Sequence, residues 1–264
     1  MARPAHFWTA DKLDFLEEYI PAFVIATKKA KARYYVDGFA GPGRNVIMGD
    51  ERNGSPLIAL NATEPCTHYF FVERKKKLYE QLSGHIERHP RADRVRLKQG
   101  NFNQLVDTIL PYIPDLAPCL FFLDPEGLEL DFVTIEKIAN RTKVDLFVLI
   151  SGFGLVRNIS RPEASTTLTR FFGDDSWKPL LERFEKRNLP TGTKAFEAFT
   201  DLYISKLQGI GFDVCDKYLI ARNSKNAALH SLVFAIKSDK PQAALSIAPN
   251  ILKKLQLKNQ PGLF

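Results

Sequence analysis

Apolar positions Leu13, Leu16, Ile20 and Phe23 recur at helical spacing, which predicts an amphipathic helix near the start, with Pro21 as a candidate kink. The period then shortens. RYYVDGF (33–39) reads as a strand running into a long glycine-rich loop over 41–54. Ser55 and Pro56 fit an N-cap followed by proline at the first helical position, so a helix is expected over GSPLIAL. HYFFVE (68–73) predicts a short strand, and RKKKLYEQLSGHIERH the helix behind it. RVRLKQGNF (94–102) is a strand, with a helix expected over about 103–112. CLFFLDPEG (119–127) is a continuous apolar strand closing in a polar turn, followed by a helix around 132–140. VDLFVLISGFG (144–154) is the fifth strand. Strands that are apolar on both faces and alternate with helices indicate a parallel sheet.

The rhythm changes after about residue 155. The stretch 157–188 is charged and weakly periodic, while KAFEAFTDLYISKLQGIG reads as a helix ending at glycine. FDVCDKYLIARN and HSLVFAIKS are two strands separated by a short polar stretch, hence a hairpin, and a last helix is expected from Pro241. The outline is an α/β fold, Rossmann-like, with a mostly parallel seven-stranded sheet, a C-terminal antiparallel hairpin and helices on both faces. With no internal repeat and no linker, 1–264 reads as one domain with a helical extension over 1–33 and an insert over 155–192.

Composition narrows the class. Hydrophobic content of 45% and charged content of 25% are ordinary for a globular protein. No apolar run approaches the roughly 20 residues that span a bilayer, so no membrane association is expected. The start, MARPAHFWTADK, lacks the apolar core of a secretory signal. Cys66, Cys119 and Cys215 are far apart and lie in or beside apolar segments, so buried free thiols in the cytoplasm are expected, and no zinc site. The net charge is +7, with basic clusters at 28–33, 74–77, 88–96 and 253–258. Such runs form solvated helix faces, and they also suit a polyanionic partner such as nucleic acid.

Open α/β sheets bind ligands beyond the carboxyl ends of their strands. Here the first strand ends in Asp37, Gly38, Ala40, Gly41 and Gly43, the second in Glu73 and Arg74, the third in Asn101 and Phe102, and the fourth in Asp124, Pro125 and Glu126. The spacing G-x-x-G-x-G departs from the G-x-G-x-x-G dinucleotide fingerprint, and no phosphate-binding G-x-x-x-x-G-K-[ST] loop occurs. A ligand with ribose and adenine but no phosphate fits better. Glu73 would accept from ribose hydroxyls, the glycine turn would pass its tail, Asn101 would meet the adenine edge, and Asp37 a cationic amino group. S-adenosylmethionine has these parts. A carboxylate closing a strand is often only solvated, so the reading rests on the four strand ends taken together.

YYVDGFAGPGR, the upstream FWTADKLDFLEEYI, FFVERKK, GNF, FFLDPEGL and HSLVFAIKS resemble the three-Cys-motif partner protein family (TcmP), over nearly the whole chain. The resemblance implies a class I S-adenosylmethionine-dependent methyltransferase fold and a partner protein of the three-Cys-motif type. Methyltransferases acting on base amines carry [DNS]-P-P-[YF] after the fourth strand. This chain keeps Asp124-Pro125 but has Glu126-Gly127 where the second proline and the aromatic would stand, with Phe153 as a candidate stacking face. Asp124 is expected to accept from the reacting amine, with Glu126 as auxiliary acid or base.

Three functions are therefore in play. The first is methyl transfer to nucleic acid, at a base amine. The second is a non-catalytic S-adenosylmethionine-binding or interaction subunit working with a partner. A metal-dependent nuclease built on Asp115, Asp124 and Glu126 is the third. The five histidines show no zinc-ligand spacing, and no G-x-S-x-G elbow marks a hydrolase.

Overall fold

The computed structural model describes residues 3–5, 7–47, 49–159, 165–186, 193–222, 228–239, 241, 246–251 and 253. Strand β1 (Arg3–Ala5) precedes helix α1 (Phe7–Ala26), and β2 (Tyr34–Asp37) opens the main sheet. After it come β3 (Arg44–Ile47), β4 (Asp50–Asn53), α2 (Ser55–Asn61), β5 (His68–Glu73), α3 (Lys76–Ile86), β6 (Val95–Gln99) and α4 (Phe102–Ile109). The second half runs β7 (Cys119–Leu123), α5 (Phe132–Ala139), β8 (Val144–Ser151), α6 (Gly152–Ile159), α7 (Ser165–Phe172), α8 (Trp177–Lys186), α9 (Thr193–Gly209), β9 (Asp213–Arg222) and β10 (Ala228–Lys237).

Seven strands form one sheet in the order β6-β5-β2-β7-β8-β10-β9. The first five are mutually parallel, and β10 runs antiparallel to both β8 and β9. The expected parallel sheet with a terminal antiparallel hairpin is what forms. Both faces are buried because the central strands are apolar at most positions, and alternate residues feed two cores. Val36, Phe70, Phe121 and Val148 point to the face covered by α4, α5, α7 and α9. Tyr35, Phe71, Phe122 and Phe147 point to the face covered by α1, α2 and α3.

Helix α1 carries Pro21 and lies across the second face. Its Tyr19 ring packs against Phe147 and Phe234 at centroid distances of 4.8 and 5.2 Å. The Tyr19 hydroxyl donates to Asp145 Oδ2 at 2.6 Å, so the one acid inside β8 has a partner where it is buried.

Several local expectations change. The stretch 41–54 is not all loop: β3 and β4 pair antiparallel, and β1 joins β3 in parallel to make a small three-stranded sheet. These strands are short and half-exposed, so no apolar alternation announces them. Ser55 is not the N-cap of α2. Gly54 holds that position without a side-chain cap, and the Ser55 hydroxyl bonds Asp37 instead. The charged stretch after 155 folds as α6, α7 and α8. Cys66 and Cys119 are buried free thiols that burial pushes up to about 12 and about 11, whereas the Cys215 side chain lies outside the described residues. Among the described residues no helix is long and apolar enough to cross a membrane.

Burial holds the carboxyls of Asp145 and Asp37 near 7, against an ordinary value of 3.8. Between these values the folded chain keeps protons that the unfolded chain has lost, so stability falls as pH rises from about 4 to about 7. Asp145→Asn keeps an acceptor for Tyr19 and removes one of the two groups. Urea unfolding followed across pH 5–8 should show the variant losing less stability over this window than the parent. Parallel pH profiles would refute the assignment.

Candidate functional site

A cavity of about 470 Å³ opens over the carboxyl ends of the parallel strands, a size typical of small-molecule sites. Its first half lies over β6, β5 and β2. Gly38 ends β2 beneath Leu123 and Phe102, where a Cβ would sit 2.8 Å from both side chains, so only glycine lets the chain pass. Gly41 follows at φ 64°, the left-handed conformation in which its amide donates to Glu73 Oε2 at 2.8 Å. The other Glu73 oxygen accepts from the Lys75 amide at 2.6 Å. One carboxylate thus clamps two loops at the cavity wall.

Asn101 caps α4, its side-chain oxygen accepting from the Asn103 amide at 3.0 Å, which leaves its Nδ2 donors for a ligand. Phe39 and Phe102, with ring centroids 6.1 Å apart, give this half apolar surface, and Ala40 completes the turn.

The second half lies over β7, β8 and β10. Asp124 follows β7, and Pro125 beside it lines the cavity as well. The Lys12 ammonium reaches over from α1 and donates to Asp124 Oδ2, the two side chains being 10% and 20% exposed. Leu149 and Ser151 of β8 and His230 of β10 form the far wall, with Ser151 and His230 directly paired across the strands. Ser151 Oγ accepts from the Gly154 amide at 3.1 Å, fixing the first turn of α6. A Cβ on Gly154 would lie 3.3 Å from the Gly127 backbone, so α6 packs on the loop after β7. Gly127 itself has open space where its Cβ would be.

Two ion pairs close the rim. Lys75 meets Glu126 at 2.8 Å, and Arg74 meets Glu129 at 3.3 Å, while Glu129 also accepts from the Glu126 amide at 2.9 Å. All four side chains are largely solvent-accessible, so each pair is worth about 0–1 kcal/mol and serves to order loops.

Ten of the twelve residues named from sequence as site residues line one cavity, and two do not. Asp37 is fully buried behind the wall, where it accepts from the Phe39 amide at 3.1 Å, the Tyr35 hydroxyl at 3.4 Å and Ser55. Gly43 turns away to pack on Leu57, Leu82 and His85. Asp115 is also outside the cavity, its side chain fully exposed near Arg141, and no three metal-ligating side chains converge among the described residues. The Phe153 side chain lies outside the described residues.

Lys12, Ser151 and His230 escape the motif reading. For Lys12 a signal existed: residues 12, 16, 19 and 23 share one helical stripe, and a lysine heading a buried stripe needs a partner.

No protein-family profile and no curated protein matches the sequence. Among solved structures, the chain is similar to protein LPL1258 from Legionella pneumophila str. Philadelphia 1, of the DUF519 family. That alignment has a TM-score of 0.56 and 12% identity over 96% of this chain and 94% of that one. Cofactor-bound Rv0187 from MTB aligns with a TM-score of 0.47 and 15% identity over 87% and 81%. M. jannaschii TYW2, in complex with AdoMet, aligns with a TM-score of 0.41 and 11% identity over 87% and 75%. The likeness to LPL1258 is one of fold and runs through nearly the whole chain. The fold is Rossmann-like, a mostly parallel seven-stranded sheet with an antiparallel end.

The Lys12–Asp124 pair gives a direct test. Removing one charge of a largely buried pair strands the other, so Lys12→Met should cost about 2–3 kcal/mol. Adding Asp124→Asn should recover at least about half of that loss in urea unfolding. Additive losses would mean that the two groups do not depend on each other.

Proposed function

We propose that this chain is an S-adenosylmethionine-dependent methyltransferase acting on nucleic acid, with the cofactor over β6, β5 and β2 and the acceptor over β7, β8 and β10. The charge of the cavity carries the reading. In a chain with a surplus of +7, the cavity is lined by four carboxylates (Glu73, Asp124, Glu126, Glu129) against three cations (Lys12, Arg74, Lys75). A wall with a net negative charge suits a sulfonium with an ammonium tail and disfavours a pyrophosphate. When bound, the cofactor supplies a methyl group on a positively charged sulfur.

Each wall then has a task. Glu73 spends one lone pair per oxygen on the Gly41 and Lys75 amides and keeps the rest for ribose hydroxyls. Phe39 and Phe102 flank a purine, and the Asn101 Nδ2 group donates to its edge. Asp124 accepts a hydrogen bond from the acceptor amine and so turns the amine lone pair toward the methyl group. Lys12 is a positioning residue that holds this carboxylate. Glu126, tied to Lys75 at the rim, acts by ordering the mouth.

The resemblance of YYVDGFAGPGR, FFVERKK and FFLDPEGL to three-Cys-motif partner proteins supports the same assignment and adds a partner protein. One observation favours the non-catalytic alternative: Asp124 and Glu126, the two candidate catalytic carboxylates, are already in ion pairs.

Calorimetry with S-adenosylhomocysteine tests the cofactor half. Glu73→Gln, which leaves the loops a partial acceptor, should weaken binding by about tenfold, the loss of one charge-assisted hydrogen bond. Asp124→Asn should change this affinity by less than about threefold while lowering tritiated methyl transfer by a factor on the order of a hundred. Binding without transfer to any nucleic acid, with the partner present, would select the non-catalytic subunit. Absence of binding would overturn both readings.

A further inference from the structure

The cations of this chain divide into two populations. Those at the cavity are paired: Lys12 with Asp124, Arg74 with Glu129 and Lys75 with Glu126. Along β6 the opposite holds. Residues 88–99 carry five cations, Arg88, Arg91, Arg94, Arg96 and Lys98, against the single carboxylate Asp93. Among the described residues none of the five enters an ion pair.

Among the described residues strand β6 is the edge of the sheet and pairs with β5 alone, which leaves its other side without a strand partner. Arg96 and Lys98 are paired in register with Phe70 and Val72, both of the first core face, whereas Val95 and Leu97 pack on the other. Arg96 and Lys98 therefore stand at alternate positions of β6, about 6.6 Å apart, a spacing comparable to that of successive phosphates on an extended single strand, and Arg94 closes the 3-10 turn (Ala92–Arg94) that leads into the strand. Two residues past Lys98 the chain reaches Gly100 and Asn101 in the cavity wall.

Aromatic surface accompanies the charges. The Arg96 guanidinium lies 4.1 Å from the Tyr112 ring centroid, and Tyr112 is 53% exposed. At the start of β5, exposed His68 stacks on Tyr34 at 4.7 Å. Partial burial, with Arg96 and Arg94 nearby, holds its imidazole below the usual range, which favours an uncharged stacking face. Unpaired cations at phosphate spacing beside exposed rings are the elements of a single-strand binding groove.

We infer that the outer side of β6, with Arg94, Arg96, Lys98, Tyr112 and His68, is a track that binds single-stranded nucleic acid and leads it to the cavity. This rests on the nucleic-acid reading above and names the surface that serves it. Phosphates sit on the three cations, and bases stack on Tyr112 and His68.

The test is fluorescence anisotropy with a labelled mixed-sequence 12-nucleotide RNA, across salt. Arg94→Gln/Arg96→Gln/Lys98→Gln is compared with Lys137→Gln/Arg170→Gln/Lys178→Gln, which removes the same charge from α5, α7 and α8. The track variant should bind at least about tenfold more weakly, with a log–log salt slope smaller by about 2, three contacts at roughly 0.7 each. The control should change by less than about threefold. Arg94→Gln/Lys98→Gln, which leaves the Arg96–Tyr112 stack in place, should still lose at least about threefold. Equal losses in track and control variants would overturn the inference, as would tighter binding of a polyglutamate peptide than of RNA. S-adenosylhomocysteine affinity, read on every sample, separates the two claims. Its absence in the parent chain sinks the methyltransferase reading, and its retention in the track variants shows that any loss of RNA belongs to β6.

Discussion

A sheet buried on both faces leaves polar side chains room only where its strands end, because an unpaired charge between two apolar layers costs too much to keep. That constraint organises this protein. Asp37, Glu73, Asp124 and Ser151 all stand at or just beyond the carboxyl ends of parallel strands, and parallel strands put those ends on one side. The fold assembles the acids before any ligand is considered. What distinguishes them is how far each lies from water and which donors it meets. Asp37 is sealed in by Ser55, Tyr35 and the Phe39 amide, whereas Glu73 and Asp124 remain in the cavity wall.

Helix α1 joins the architecture to the chemistry. One stripe of it builds the aromatic contact with Phe147 and Phe234, buries the Tyr19–Asp145 hydrogen bond, and about two turns earlier delivers Lys12 to Asp124. Position along the helix and charge at the site are therefore not independent. A shift of α1 that spoiled the packing would also move the ammonium that orients Asp124. This is why a segment outside the alternating strand–helix pattern belongs to the site.

The strands were legible because each central one is an uninterrupted apolar run. The half of the cavity over β6, β5 and β2 was legible because its residues follow those strands directly, as Glu73 ends HYFFVE. What was hidden is long-range. Lys12 and Asp124 are 112 residues apart, and His230 meets Ser151 only through the antiparallel return of β10. No local pattern records such a meeting. Asp37 and Gly43 lie off the cavity for the reverse reason: proximity in sequence to the glycine turn does not say which side of the wall a residue faces. The hairpin of β3 and β4 was missed because its strands, RNVI and DERN, bury too little to alternate.

The loop after β7 is crowded on one side and open on the other. Its backbone passes close enough under Gly154 that a Cβ in α6 would crowd it, yet at Gly127 nothing lies within 4 Å of where a Cβ would be. A side chain introduced at 127 would meet no neighbour at its Cβ. Position 127 is thus one at which the loop can change what it presents to solvent without crowding its neighbours.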